Sequence, residues 1–271
     1  MSKRLTRRFE NLRARGEPAL VGFLTAGDPD PETSLNILTA ACQNGLDVLE
    51  LGIPFSDPTV DGPVIQAASH RALRAGMTVA GALALAAELR RRTDVPIILF
   101  SYYNPLLQFG LPRLAAETLA ADADGFLVVD LPPEESEEFT RHIPCHRLPL
   151  IRLVAPTTAP ERIATIVQNA GGFLYLISRT GVTGGAPARR ETIERLTARV
   201  RVLTPLPICV GFGIRTPAEA AETAAFADGV VVGSALVQQV ASGLSEPQSL
   251  ASRIGESVRR FEEALRPRTG R

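Results

Sequence analysis

The strongest constraint on this chain is a rhythm: eight short apolar runs alternate with amphipathic stretches along almost its whole length. The runs are Ala19–Ala26, Asp47–Pro54, Pro96–Tyr102, Gly125–Leu131, Pro149–Ala155, Phe173–Ser178, Pro207–Phe212 and Gly229–Gly233, most of them rich in Val, Ile and Leu. Within each run apolar residues follow one another instead of alternating with polar ones. A strand of that kind is buried on both faces, as in a parallel sheet covered by helices. The stretches between carry helical spacing, among them Pro31–Asn44, Val79–Arg92, Leu111–Ala121, Pro133–Arg141, Pro160–Asn169, Arg190–Leu203 and Pro217–Ala225. Four of these open on proline, whose missing N–H costs nothing in the first helical turn. Eight strand–helix units predict an α/β chain closed into a (β/α)8 TIM barrel, with residues 1–271 as a single domain. An open doubly wound sheet is the competing architecture, but no GxGxxG follows the first run. Leu5, Phe9 and Leu12 share one helical face, so residues 1–16 are expected to form an N-terminal cap helix and not a targeting peptide, despite their arginines. The loop after the second run has room for an extra helix, about Gly62 to Leu73. Gln248–Leu265 reads as a terminal helix, with 266–271 as a disordered tail.

Composition narrows the chemistry. The formal net charge is zero, which removes the electrostatic case for nucleic acid or a membrane surface as partner. Lys3 is the only lysine, and it lies in the terminal segment. Schiff-base aldolases and pyridoxal phosphate enzymes need a lysine on the catalytic face, so both are excluded. The three cysteines, Cys42, Cys145 and Cys209, are odd in number and far apart, as in a reduced, cytoplasmic protein. His142, Cys145 and His146 have metal-like spacing but no fourth ligand nearby, and read as a solvated connector; no metal site is expected.

The chemistry is expected at the C-terminal ends of the strands, where barrel enzymes work. Glu50 stands out there, a carboxylate inside an otherwise apolar strand, where burial is costly and raises the pKa into a usable range. If Val48 faces the barrel interior, Glu50 does too. The structural alternative for Glu50 is a buried ion pair with an arginine such as Arg152. Asp61 follows in the loop, where Asp-Gly-Pro also fits a plain turn or helix cap. Tyr102, Asn104, Asp130, Tyr175, Arg179 and Thr183 complete the polar set. Gly211-Phe212-Gly213 and Gly233-Ser234 close the last two strands, the usual phosphate site of barrels, and Gly184-Gly185 could add to the cradle. The glycine-rich loop Arg179–Ala186 is built like a lid. An acid/base carboxylate, a second carboxylate and a phosphate anchor without lysine fit sugar-phosphate isomerisation and lysine-free aldol cleavage alike.

Several segments, in order, resemble the tryptophan synthase alpha chain family. They are Thr25-Ala26-Gly27-Asp28-Pro29, Glu50-Leu51-Gly52-Ile53-Pro54-Phe55-Ser56-Asp57-Pro58 with Asp61-Gly62-Pro63, Tyr102-Tyr103-Asn104-Pro105, Asp130-Leu131-Pro132-Pro133-Glu134-Glu135-Ser136, Ser178–Gly184 and Gly211-Phe212-Gly213-Ile214. The resemblance implies cleavage of indole-3-glycerol phosphate to indole and glyceraldehyde 3-phosphate, with no cofactor. It also implies a beta-chain partner in an alpha2beta2 complex. Glu50 matches the family's acid/base and Asp61 the carboxylate that accepts the indole N–H. Tyr102 and Tyr175 match pocket residues, with Phe23, Ile65, Leu127, Leu153 and Phe212 around the indole. Arg179, Gly181 and Thr183 match the lid, Thr183 meeting Asp61 on closure. Gly184, Gly213, Gly233 and Ser234 match the phosphate site, while Asp57, Pro58 and Thr59 match the surface that faces the beta chain. The chain departs from the family at Thr59-Val60, where an aliphatic and a small residue are usual, and at Gly22, where proline is common. A free-standing lyase that releases indole would explain the first departure. A catalytically silent allosteric subunit is disfavoured by intact Glu50 and Asp61, and the absence of a Lys–His set weighs against a triose-phosphate isomerase.

Overall fold

The computed structural model describes residues 2–177, 190–211 and 213–266. Its strands are β1 (Ala19–Thr25), β2 (Val48–Gly52), β3 (Ile97–Ser101), β4 (Gly125–Val128), β5 (Leu150–Val154), β6 (Leu174–Ile177), β7 (Ile208–Gly211) and β8 (Gly229–Val232). They pair in parallel in sequence order and close as β8 meets β1, which makes the expected (β/α)8 barrel. Each expected run contains one strand, with up to three residues to spare at an end. Burial continues past the paired backbone: Ile53 lies beyond β2, yet it is 5% exposed and its N–H reaches the Phe100 carbonyl at 2.8 Å.

The register sorts the two faces of the barrel. Phe23, Glu50 and Ile98 are neighbours across β1, β2 and β3, and Val21 lies beside Val48 one layer lower. Phe23, Ile98, Val21 and Val48 share an interior cluster with Phe100, Leu127, Ile151, Tyr175, Cys209 and Val231. The alternate residues, such as Leu49, Leu51, Leu99 and Phe126, face outwards and pack beneath the surrounding helices. Leu5, Phe9 and Leu12 belong to the interior cluster as well: the helix Lys3–Arg15 plugs the base of the barrel, with Phe9 against Phe173 at 5.6 Å between ring centres.

Two helices depart from expectation. Pro133–Arg141 divides into a 3-10 turn, Pro133–Glu135, and a helix, Glu137–His142. The break falls at Ser136, whose buried hydroxyl donates to the Pro133 carbonyl and accepts from Arg152 Nη2 at 2.7 Å. The short helix Tyr103–Phe109 was not foreseen.

At the base of the barrel, three aspartates stand immediately before β2, β4 and β8. Asp47 accepts the Leu20 N–H at 2.8 Å, Asp124 the Ile97 N–H at 3.0 Å and Asp228 the Ile208 N–H at 2.7 Å. Each thereby ties its own strand to the one before it. Every one also meets arginine: Asp47 meets Arg266 and Arg8, Asp124 meets Arg4 and Arg90, and Asp228 meets Arg201. Arg266, expected as the start of a disordered tail, is thus held at the barrel base, where it also donates to the Pro18 carbonyl at 3.2 Å. Residues 267–271 lie outside the described residues.

Candidate active site

Glu50 enters the barrel from the middle of β2, between Phe23 and Ile98, and is 1% exposed. Its Oε1 has no hydrogen-bond partner among the described residues. Among the described residues no cation compensates it either, and burial pushes its pKa up to about 8. The ion pair with Arg152 does not form. Arg152 belongs to the outward face of β5, where its guanidinium donates to the Leu131 carbonyl at 2.9 Å and to Ser136.

Asp61 reaches the mouth from the loop after β2. The chain turns over Pro58-Thr59-Val60-Asp61, closed by the Asp61 N–H on the Pro58 carbonyl at 3.2 Å. The helix Pro63–Arg74 then begins with Gly62 as its cap and no side-chain capping bond, so Asp61 is not spent as a helix cap. Its carboxylate instead accepts the Tyr102 hydroxyl proton at 3.2 Å. The same hydroxyl oxygen accepts the Val60 N–H at 3.0 Å. Asp61 is 6% exposed, and burial raises its pKa to about 6 against the opposing pull of Tyr102.

Phe23, Ile65, Leu127 and Tyr175 are buried in the interior cluster, with Leu153 at its edge. Tyr102, 4% exposed, stacks at 5.2 Å against Phe55. Sequence reasoning missed Phe100, which meets Phe23 edge-on at 4.9 Å; its signal was two-residue alternation along β3 with Ile98. Two glycines also shape the wall. A Cβ on Gly52 would come within 2.6 Å of the Phe23 ring, and one on Gly211 within 2.2 Å of the Tyr175 hydroxyl. Each ring therefore lies against backbone. Asn104 and Asp130 stay on the outer rim, where Asp130 accepts the Tyr103 N–H at 2.7 Å.

Of the expected phosphate residues, Gly213 has φ +94°, a region that favours glycine. Gly233 precedes the helix Ser234–Ser242, whose first turn has no side-chain cap. A Cβ there would lie 3.4 Å from Phe23 Cβ, so this helix start lies against Phe23. Free N–H groups at a helix start suit an anion. Arg179, Gly181, Thr183, Gly184 and Phe212 lie outside the described residues. Asp57 and Thr59 are exposed and Pro58 is buried beneath them. No group of three or more His, Cys, Asp or Glu side chains among the described residues could hold a metal ion.

Comparison with known proteins bears on this geometry. The family profile described as "Tryptophan synthase alpha chain" matches residues 9–266. Tryptophan synthase alpha chains from Desulfatibacillum aliphaticivorans and Desulfosudis oleivorans are each 48% identical to this chain. The aligned regions cover 95% and 97% of this chain and 97% and 99% of those relatives. Among solved structures, tryptophan synthase subunit alpha from Legionella pneumophila superposes with a TM-score of 0.89 at 36% identity, over 98% of both chains. A chain of tryptophan synthase from M. tuberculosis, in an aminoacrylate-bound form, gives 0.87 at 34%, over 98% of this chain and 100% of that one.

Proposed function

This chain belongs to the tryptophan synthase alpha chain family, and from that premise we propose how its barrel cleaves indole-3-glycerol phosphate to indole and glyceraldehyde 3-phosphate. One observation carries the reading: two buried carboxylates both act on Tyr175 in the barrel interior, neither with a cationic partner among the described residues, and their pKa values are spread to about 8 and about 6. Such a spread assigns one group as acid and the other as anion near neutral pH.

Glu50, protonated, donates its proton to indole C3. The ring becomes an iminium-like cation, which is the electron sink that a lysine Schiff base would otherwise supply. The bond from C3 to the glycerol chain then breaks, and its electron pair restores the aromatic ring. The adjacent hydroxyl becomes the aldehyde of glyceraldehyde 3-phosphate as its proton passes to Glu50, now a carboxylate. The proton given is the proton regained, so no water or cofactor enters the balance. Asp61, ionised, accepts the indole N–H and faces the positive charge that develops on the ring. A carboxylate fixed in advance opposite developing charge is the larger electrostatic contribution. Tyr102 fixes it. Phe23, Phe100, Leu127 and Tyr175 provide the apolar walls for the ring, with Ile65 and Leu153 beside them. The Gly233–Ser234 helix start, with Gly213, suits the phosphate. Thr183, Gly184 and Phe212 are assigned by resemblance alone, as is the lid Arg179–Ala186.

A tryptophan synthase beta chain is the proposed partner, in an alpha2beta2 complex, docking on the exposed turn that carries Asp57, Thr59 and Val60 above Pro58. No single helix among the described residues is long and apolar enough to cross a membrane, and the three cysteines are unpaired, which supports a cytoplasmic setting.

The test is indole release by purified Glu50→Gln and Asp61→Asn, with the partner titrated. Glu50→Gln should lose at least ~10²-fold in turnover, the lower end of general acid–base contributions. Near wild-type release by a folded Glu50→Gln protein would remove Glu50 as the acid. High activity of the wild-type chain without any complex would favour a free-standing lyase.

A further inference from the structure

We propose that Gln66 is a positioning residue for this lyase: its side-chain amide staples both ends of the turn that presents Asp61, so that the carboxylate meets the indole N–H in a fixed place. Gln66 lies in the first turn of the helix Pro63–Arg74. Its Nε2 donates to the Asp61 carbonyl at 2.9 Å and to the Pro58 carbonyl at 3.4 Å. Those two carbonyls belong to the first and last residues of the turn that the Asp61 N–H closes. Because both neighbours are acceptors, the amide must present its nitrogen, which fixes its orientation on chemical grounds. Asp61 is thereby held twice. Tyr102 holds its carboxylate, and Gln66 holds its backbone. Between the two staple points the side chains of Thr59 and Val60 are exposed.

A staple positions only if its own base is firm, and this one is. The helix buries Ile65, Ala68 and Ala72. Near its far end Arg71 makes a two-pronged ion pair with Asp28 in the loop after β1, at 2.7 and 2.8 Å. Asp28 is 4% exposed, so the pair is shielded from water on the carboxylate side. The helix thus bridges the loop after β1 and the catalytic turn, with Arg71 anchoring one end and Gln66 reading out at the other.

The inference rests on the role given to Asp61, and a double-mutant cycle separates the two claims. Gln66→Met keeps length and helix propensity but removes the donor. Loss of one net hydrogen bond in the reacting geometry should cost roughly three- to tenfold in kcat/KM. Introduced into an Asp61→Asn background, the same change should cost less than about twofold, because a residue acting through Asp61 has nothing left to position. Glyceraldehyde 3-phosphate affinity should be unmoved by Gln66→Met in both backgrounds, and the thermal midpoint should fall by the same small amount in each. Gln66→Glu, which turns an acceptor towards two carbonyls, should lose more than Gln66→Met. Equal losses in the two backgrounds, or no loss in the wild-type background, would overturn the positioning role. An Asp61→Asn protein with wild-type kcat/KM would instead overturn the assignment of Asp61.

Discussion

The two ends of this barrel bury carboxylates in opposite ways. At the base, Asp47 and Asp124 are each 2% exposed, and both receive a backbone N–H and two arginines. At the mouth, Glu50 is 1% exposed, its Oε1 receives no hydrogen bond and no arginine acts on it among the described residues. Desolvation pushes up the pKa of Asp47 and of Glu50 alike, but at Asp47 the opposing pull of Arg266, the Leu20 N–H and Arg8 limits the rise. Among the described residues nothing limits it at Glu50. Burial is therefore not what marks the chemical end of the molecule. What marks it is a buried charge left uncompensated, a cost to folding that leaves a proton free to move.

The comparison breaks most sharply if the two ends respond alike to loss of a carboxylate. Asp124→Ala should destabilise by about 3–5 kcal/mol, as when one partner of a buried pair is removed, because Arg4, Arg90 and the Ile97 N–H all lose their acceptor. Chemical denaturation would show a lower midpoint, with kcat near normal at a temperature where the variant stays folded. Glu50→Gln should do the reverse. A folded-state pKa raised above the unfolded value means that Glu50 supports folding fully below about pH 4.5, and that this support fades as pH rises to about 8. Glutamine cannot ionise, so at pH 8 the variant should be more stable than the parent by about 4 kcal/mol, and at pH 4.5 the two should nearly coincide. A Glu50→Gln protein less stable at pH 8 would mean that Glu50 has a stabilising partner after all.

The split between the two ends was only half legible in the sequence. Strands buried on both faces announce themselves as continuous apolar runs, so the barrel and its order followed directly. Glu50 was visible for the same reason, as a charge interrupting such a run. Its inward direction depended on which way Val48 faced, and only the β1–β2–β3 register fixes that. The base aspartates gave no signal. An aspartate just before a strand looks like any turn residue, and the groups it satisfies stand 27 residues away at Leu20, 34 at Arg90 and 219 at Arg266. Gln66 was silent for a related reason: a glutamine in a helical first turn normally faces water, and its partners exist only once the preceding loop folds back. The helix Tyr103–Phe109 is seven residues long, too short for a periodic pattern to stand out. Arg179, Gly181, Thr183, Gly184 and Phe212, legible by resemblance, lie outside the described residues.

Kinetics sharpen the picture at the mouth alone. If cleavage needs Asp61 ionised and Glu50 protonated, kcat/KM of the free enzyme should trace a bell between limbs near pH 6 and pH 8, the values to which burial raises the two groups. Each limb falls about tenfold per pH unit, as expected for one ionisation. Asp61→Asn should abolish the acid limb and leave the alkaline one. A profile flat across this range would show that neither ionisation governs the reaction.

The smallest effect should come from Tyr102→Phe, and its sign is set by the geometry. The hydroxyl donates to the Asp61 carboxylate at 3.2 Å and favours its ionised form, the one influence found to lower the Asp61 pKa. Without it, burial acts unopposed and the pKa rises, so the acid limb of the kcat/KM profile should move upward from about 6. A neutral hydrogen bond is worth about 1 kcal/mol, so the move should be under about one pH unit. Activity should therefore fall several-fold at pH 6, where fewer molecules hold Asp61 ionised, and change little at pH 7.5. The Val60 N–H also loses an acceptor, but Val60 is 39% exposed, and water can take the place of the phenol there. Stability should consequently change by less than about 1 kcal/mol. The Phe55 contact depends on the ring and not on the hydroxyl, so the wall of the pocket should stand. An acid limb that stays at its wild-type position in Tyr102→Phe would show either that Tyr102 does not tune Asp61 or that another group sets that limb. Repeating the profile in Asp61→Asn tells these apart: a surviving acid limb there identifies another group.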